Sequence, residues 1–133
     1  MSIYLEAIMD HYTLPRNWGR LQEPTHSSRV ANPLCGDVIE LDLQIENYKI
    51  VKIGYETEGC AICRAAISQL SDSIAGQSID ALPYLGGTSL IDDLLKIQLS
   101  PTRMKCALLA RDAIKTAING LPINRQQLKK SQL

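Results

Sequence analysis

Two consecutive runs of alternating residues constrain this chain more than any other feature. From 39 to 46, Ile39, Leu41, Leu43 and Ile45 fall on one side, and Glu40, Asp42, Gln44 and Glu46 on the other. Period-two alternation of this kind describes a strand with one face in a core and the other in water. From 50 to 58 the pattern repeats, with Val51, Ile53, Tyr55 and Thr57 set against Lys52, Gly54, Glu56 and Glu58. A turn near Asn47 separates the two runs, so the pair reads as an antiparallel hairpin. Ser28–Ala31 is a candidate third strand.

The apolar face of such a sheet must be covered, and the remaining sequence supplies helices. Residues 2–12 read as a short amphipathic helix capped by Ser2, with Ile3, Ala7 and Ile8 on one face. Pro15, Asn17 and Gly19 then enforce a loop. Residues 61–75 place Ile62, Ala66, Leu70 and Ile74 at four-residue steps, and Gly76 supplies a stop. A short helical turn is expected over Ser78–Leu82, and a helix from Thr88 through Lys96 that buries Ile91, Leu94 and Leu95. Ser100-Pro101 is an N-cap followed by proline at the first helical position. The helix it opens runs to about Asn119, with Met104, Ala107, Ala110, Ile114, Ala117 and Ile118 on one stripe that Arg111 interrupts. The expected fold is α+β: a small, three-stranded antiparallel sheet with helices packed on one face. Residues 1–120 form the domain and 121–133 a polar tail.

A chain of 133 residues can bury a modest core without disulfide staples. Its 14 basic and 14 acidic side chains cancel, so no global field draws it to nucleic acid or to an anionic membrane. No apolar run approaches the ~20 residues that span a bilayer. The first ten residues lack a basic region and acquire acids early, unlike a signal peptide. A cytoplasmic protein is expected, and there four cysteines read as thiols, metal ligands or nucleophiles rather than disulfides.

Those cysteines lie in three segments: Asn32-Pro33-Leu34-Cys35-Gly36-Asp37, Gly59-Cys60-Ala61-Ile62-Cys63 and Lys105-Cys106-Ala107. In extended backbone Cys35 and Asp37 point to the same face about 7 Å apart, and Gly36 can bend the chain so that they converge. Cys60 follows the second strand, and hairpin pairing sets that junction near the beginning of the first, hence near Cys35. Cys106 falls in the opening turns of the last helix. A metal held by Cys35, Asp37, Cys60 and Cys106 would have three sulfur ligands and one oxygen. Zinc accepts such a set, and iron in a cluster is likewise held by thiolates. A purely structural site is usually all cysteine and histidine, so the carboxylate marks a corner open to exchange. Lys105, with Arg103 or Arg64 nearby, could neutralise the excess negative charge. Each piece also has a plainer reading, as a strand-entry turn, a turn cap or a buried thiol. Cys63 reads as a packed thiol, although its Cys-x-x-Cys spacing with Cys60 leaves a dithiol switch open. His11 and His26 belong to no motif.

At these residues the chain resembles the IscU/NifU N-terminal family of iron–sulfur cluster scaffolds. The resemblance runs in order through Asp10-His11-Tyr12, Pro15-Arg16-Asn17, Asn32 to Asp37, Gly59-Cys60-Ala61 and Lys105-Cys106-Ala107, across roughly residues 3–119. It implies an IscU-like (SufE/NifU-like) fold, with sulfur and iron received on Cys35, Cys60 and Cys106. It also implies Asp37 as the fourth group, whose loss in the family tends to stabilise a bound cluster. The implied cargo is a transient [2Fe–2S] cluster, with zinc in its absence. A pyridoxal-phosphate cysteine desulfurase is the implied sulfur donor, and apo iron–sulfur proteins are the acceptors. Two departures matter. Most IscU-type scaffolds have histidine where Lys105 stands, and the lysine looks like the SufU branch, whose members bind zinc and accept persulfide sulfur. That branch carries an insertion ahead of the last helix, for which Ser78–Ser100 is too short. Leu99-Ser100-Pro101-Thr102-Arg103 stands where IscU proteins carry Leu-Pro-Pro-Val-Lys, which argues against docking of their dedicated Hsp70 chaperone. The resemblance therefore implies a scaffold without turnover of its own, with a zinc-dependent sulfurtransferase as the alternative.

Overall fold

A computed structural model describes residues 9–33, 36–81 and 101–120. Three strands, β1 (His26–Asn32), β2 (Asp37–Glu46) and β3 (Lys49–Glu58), form one antiparallel sheet in that order. Helix α1 (Ala61–Ile74), a 3₁₀ turn (Ile79–Ala81) and helix α2 (Pro101–Asn119) follow. The expected α+β fold is present, and the third strand is longer than its sequence signal. It pairs with seven of the ten residues of β2, from His26 opposite Leu43 to Asn32 opposite Asp37. Residues 9–13 are helical. The expected helix start at Ser2, the helix at Thr88–Lys96 and the tail from Leu121 lie outside the described residues.

The β2–β3 connection is a two-residue turn in which Asn47 and Tyr48 both take positive φ, 51° and 62°. That geometry matches the right-handed twist of the flanking strands and closes a tight hairpin. Beneath it lies one correction to the alternation. Leu43 faces Ile53 and Gln44 faces Lys52, but Ile45 faces Ile50, so the pairing slips by one residue across Val51. A bulge of this kind moves the next side chain to the other face. Ile50 is consequently buried, and Val51, expected inside, stands 46% exposed.

Among the described residues the core forms one cluster. Ile39, Leu41, Leu43, Ile53 and Tyr55 on the sheet meet Ile62, Ala66, Ile67, Leu70 and Ile74 on α1, with Ala107, Ala110, Ala113, Ile114 and Ala117 on α2. Small residues on α2 allow it to lie close to β1, β2 and α1 at once. The stripe on α2 is rotated slightly from expectation: Leu109 and Ala113 are buried, whereas Met104 is exposed.

The outer sheet face is not simply solvated. The segment after the first helical turn crosses it, and Arg20 donates to both oxygens of Asp42, from Nε at 2.7 Å and Nη2 at 2.9 Å. Leu21 N–H and Ser27 Oγ also donate to that carboxylate. Asp42, expected to face water, is therefore almost fully buried. Gly54 permits the crossing, since a Cβ there would lie 2.3 Å from the Gly19 carbonyl oxygen. The same segment protects the free edge of β3, where Gly19 N–H donates to the Tyr55 carbonyl. Beyond α1, Gly76 (φ 80°) turns the chain so that its N–H reaches the Ile50 carbonyl, covering the other end of that edge.

Residues 10–17 are pinned to α1 by side chains. His11 Nδ1 lies 2.7 Å from Ser68 Oγ, Arg16 N–H donates to the same hydroxyl, and Asn17 Nδ2 donates to Ser71 Oγ. Arg16 also pairs with Asp10 at 2.6 Å. His11 thus has a structural role. His26 sits against Thr25 Oγ1.

Candidate metal centre

The sheet register decides where the site lies. Asn32 pairs with Asp37 across a four-residue turn, and Val38 pairs with Glu58. The turn that carries Cys35 and the β3–α1 junction that carries Cys60 therefore sit at one end of the sheet. Helix α2 packs on β1 and β2 with its opening turns at that end, bringing in Cys106. Gly36 holds φ 74°, a conformation that other residues adopt at a cost, and its N–H donates to the Asn32 carbonyl.

Asp37, Cys60 and Cys106 each present one ligand atom, and all three atoms lie within 4.8 Å of one another. Tetrahedral zinc with Zn–S near 2.3 Å separates its sulfurs by about 3.8 Å. The set is thus close to a coordination shell and needs only a small contraction. Cys35 lies outside the described residues, next to Gly36 in the turn.

Asp37 is held, not merely present. Its Oδ1 accepts the Cys60 N–H at 3.1 Å, which places the carboxylate on the positive N-terminal end of α1. Its Oδ2 faces Cys60 Sγ at 3.8 Å. One oxygen is anchored and the other is turned toward sulfur. Gly59, which the sequence did not mark as part of the site, makes room for this. A Cβ on Gly59 would stand 2.5 Å from Asp37 Oδ1 and 2.9 Å from its Cγ. A glycine closing a strand beside a candidate ligand was the available signal.

Burial divides the set. Asp37 and Cys106 are each 2% exposed, whereas Cys60, at the N-cap of α1, is half-buried. Two of the candidate ligands belong to the core, and Cys60 is partly open to solvent. Cys63 is fully buried on the first turn of α1, with Thr57 Oγ1 at 3.8 Å from its sulfur, in line with a packed thiol. Lys105 is exposed and lines a groove with Asn32 and Pro33. Arg64 does not serve the site as expected. Its guanidinium lies over the Tyr12 and Trp18 rings, 5.9 and 5.8 Å from their centroids, a cation–π arrangement that fixes it elsewhere.

These features define a class: an α+β domain with a partly open site of thiols and one carboxylate at the end of its sheet. Residues 3–127 match the NifU-like N-terminal domain, and the chain belongs to that family. It is 34% identical over 131 residues to the iron–sulfur cluster assembly enzyme IscU of Drosophila melanogaster, covering 96% of this chain and 83% of that protein. It is also 34% identical over 119 residues to the iron–sulfur cluster assembly scaffold protein IscU of Escherichia coli, covering 86% and 91%. Among solved structures, one from Fervidobacterium islandicum AW-1, described as an iron–sulfur cluster assembly scaffold protein for the SUF system, superposes with a TM-score of 0.76. It covers 90% of this chain and 96% of that one at 24% identity, a likeness of fold. No helix among the described residues is long and apolar enough to cross a membrane.

Proposed function

We propose that this protein is an iron–sulfur cluster assembly scaffold: it receives sulfur from a cysteine desulfurase, takes up iron, carries a transient [2Fe–2S] cluster and passes it to apo-proteins. The observation that carries this reading is the convergence of Asp37, Cys60 and Cys106 from three separate elements, with one oxygen in a sulfur set. Cys35 completes the set from the adjoining turn. The cluster is cargo, and zinc occupies the same ligands in its absence.

In this reading the half-buried Cys60 meets the donor. Its thiolate attacks the outer sulfur of the desulfurase persulfide, a new S–S bond forms, and the donor cysteine leaves as a thiolate. The buried Asp37 and Cys106 hold their positions while sulfur and iron arrive, because the core fixes their backbones. Oxygen at one corner binds iron less covalently than a fourth thiolate would, which favours release of the cluster to an acceptor. The protein performs no turnover of its own, and its partners are the desulfurase and the apo-proteins, without nucleic acid or membrane; Leu99-Ser100-Pro101-Thr102-Arg103 argues against a dedicated Hsp70 chaperone. Residues 1–120 carry this function in a cytoplasmic setting.

Lys105 favours one alternative, a zinc-dependent sulfurtransferase that accepts the persulfide and hands sulfur onward. Metal analysis of anaerobically purified protein, with a desulfurase assay on the same sample, separates the two. A scaffold takes up two irons with sulfide and leaves desulfurase turnover nearly unchanged. A sulfurtransferase retains zinc tightly and stimulates turnover several-fold. A sample that binds neither metal and leaves the desulfurase unaffected refutes both.

A further inference from the structure

Cys60 and Cys63 bracket the first turn of α1, and the converging set of ligand atoms includes only the first of them. Cys60 is the N-cap, in extended backbone (φ −73°, ψ 169°), and its carbonyl accepts from the Arg64 N–H. Cys63 follows three residues later with its side chain fully buried. A Cys-x-x-Cys pair set this way at a helix start has one thiol that outside molecules reach and one that they do not. Cβ atoms three residues apart on a helix are separated by about 5–6 Å, and a disulfide needs about 3.5–4.5 Å. The N-cap lies outside the helical ladder, so rotation there supplies the difference. Thr57 fixes the form of the inner thiol. Its hydroxyl donates to the Val38 carbonyl at 2.6 Å, and the same oxygen lies 3.8 Å from Cys63 Sγ. With the hydroxyl hydrogen committed to Val38, the Cys63 S–H is the donor in that contact.

We infer that Cys63 is a resolving thiol: it releases, as sulfide, the sulfur that Cys60 accepts. The inference rests on Cys60 as the sulfur acceptor. A persulfide carries its outer sulfur at oxidation state zero, whereas a [2Fe–2S] cluster contains sulfide, so every sulfur delivered needs two electrons. Cys63 attacks Sγ of the Cys60 persulfide anion. A Cys60–Cys63 disulfide bond forms, and the bond from Cys60 Sγ to the outer sulfur breaks. The outer sulfur leaves with that electron pair as hydrosulfide, carrying the proton of Cys63. It is reduced, the two cysteines are oxidised, and the step needs no outside reductant. The sulfide is set free beside the ligand atoms of Asp37 and Cys106, which lie within 4.8 Å of Cys60 Sγ. While the disulfide stands, Cys60 cannot ligate iron. Each round therefore ends by exchange with two equivalents of a low-molecular-weight thiol, which leave joined as their own disulfide.

The test treats the full-length, metal-free protein anaerobically with glutathione persulfide radiolabelled at its outer sulfur. Labelled sulfide is trapped with monobromobimane, and the protein is mapped by mass spectrometry of its non-reduced peptides. The wild type is expected to end with a Cys60–Cys63 disulfide and its label in free sulfide. Cys63→Ala is expected to keep the label as a persulfide on Cys60 and to release at least about tenfold less sulfide. Cys63→Ser, which preserves the size of the buried side chain, should retain the label in the same way. The inference is overturned if both variants release sulfide as the wild type does, if the wild type keeps the label on Cys60 or passes it to Cys63, or if Cys60 pairs instead with Cys35 or Cys106. A second arm replaces glutathione persulfide with a cysteine desulfurase and labelled cysteine. Failure of that arm alone refutes the assignment of the donor, whereas failure of the first arm refutes the resolving role of Cys63.

Discussion

Replacing Gly59 with alanine tests how the protein holds Asp37, the proposed oxygen ligand. The new Cβ would stand 2.5 Å from Asp37 Oδ1, 2.9 Å from Cγ and 3.2 Å from Cβ. Reaching ordinary contact requires Oδ1 to retreat by about 0.9 Å, toward 3.4 Å. The backbone of Asp37 cannot follow freely, because it pairs with Asn32 at the start of the central strand. The side chain must therefore rotate, and the Cys60 N–H···Oδ1 bond at 3.1 Å is lost. Loss of a hydrogen bond to a charged, buried acceptor costs about 1.5–3 kcal/mol. In a domain of this size that lowers the melting temperature by roughly 5–10 °C. The same rotation turns Oδ2 away from Cys60 Sγ, so zinc affinity should fall at least about tenfold, the scale on which supported ligands lose metal when displaced. Differential scanning calorimetry on the apo-protein and zinc competition with a chromophoric chelator read the two effects separately. A Gly59→Ala protein with wild-type melting and wild-type zinc affinity would refute the claim that Gly59 makes room for Asp37.

Three further outcomes follow from the fold. Ile50→Ala should destabilise by about 2–5 kcal/mol as a buried truncation, whereas Val51→Ala should stay within about 0.5 kcal/mol; urea denaturation reporting the reverse would remove the bulge from the account. Asp42→Ala should cost about 1–3 kcal/mol, because it leaves Ser27 and the Leu21 N–H without their acceptor and Arg20 with Glu40 alone. Burial raises the Asp42 pKa, but the bonds from Arg20 and Ser27 outweigh it, so the group titrates below the usual carboxylate range. Its contribution is present above about pH 4 and is lost as pH falls through the lowered folded value, a loss that acid titration of the Asp42→Ala variant should not show. Burial, together with the Arg16 charge, also lowers the His11 pKa. The folded state then binds fewer protons than the unfolded one, and stability should decline as pH drops below about 6.5; a His11→Asn variant with the same decline would show that another group is responsible.

Local pattern made much of this fold legible. The alternation of Ile39, Leu41 and Leu43 specified a half-buried strand, and the four-residue spacing of Ile62, Ala66, Leu70 and Ile74 specified the helix that covers it. The approach of Asp37 to Cys60 was legible for the same reason: a hairpin necessarily brings the start of its first strand near the end of its second. What stayed hidden depends on contacts between distant segments. The slip at Val51 is set by pairing, not by the strand's own sequence. Asp42 reads as a surface acid until Arg20 is known to cross above it. Gly59 reads as a strand terminator until the Asp37 side chain lies against it. Arg64 sits one helical turn from Cys60 and reads as a charge for the site. Only the placement of Tyr12 and Trp18 shows that the aromatic rings hold it instead.

Anaerobic reconstitution with ferrous iron and sulfide, followed by visible absorption and Mössbauer spectroscopy, tests the central claim most directly. The scaffold account predicts a [2Fe–2S] spectrum in the wild type, a longer-lived one in Asp37→Ala, and none when Cys35, Cys60 or Cys106 is changed to alanine. Failure of both wild type and Asp37→Ala to form any cluster would contradict it.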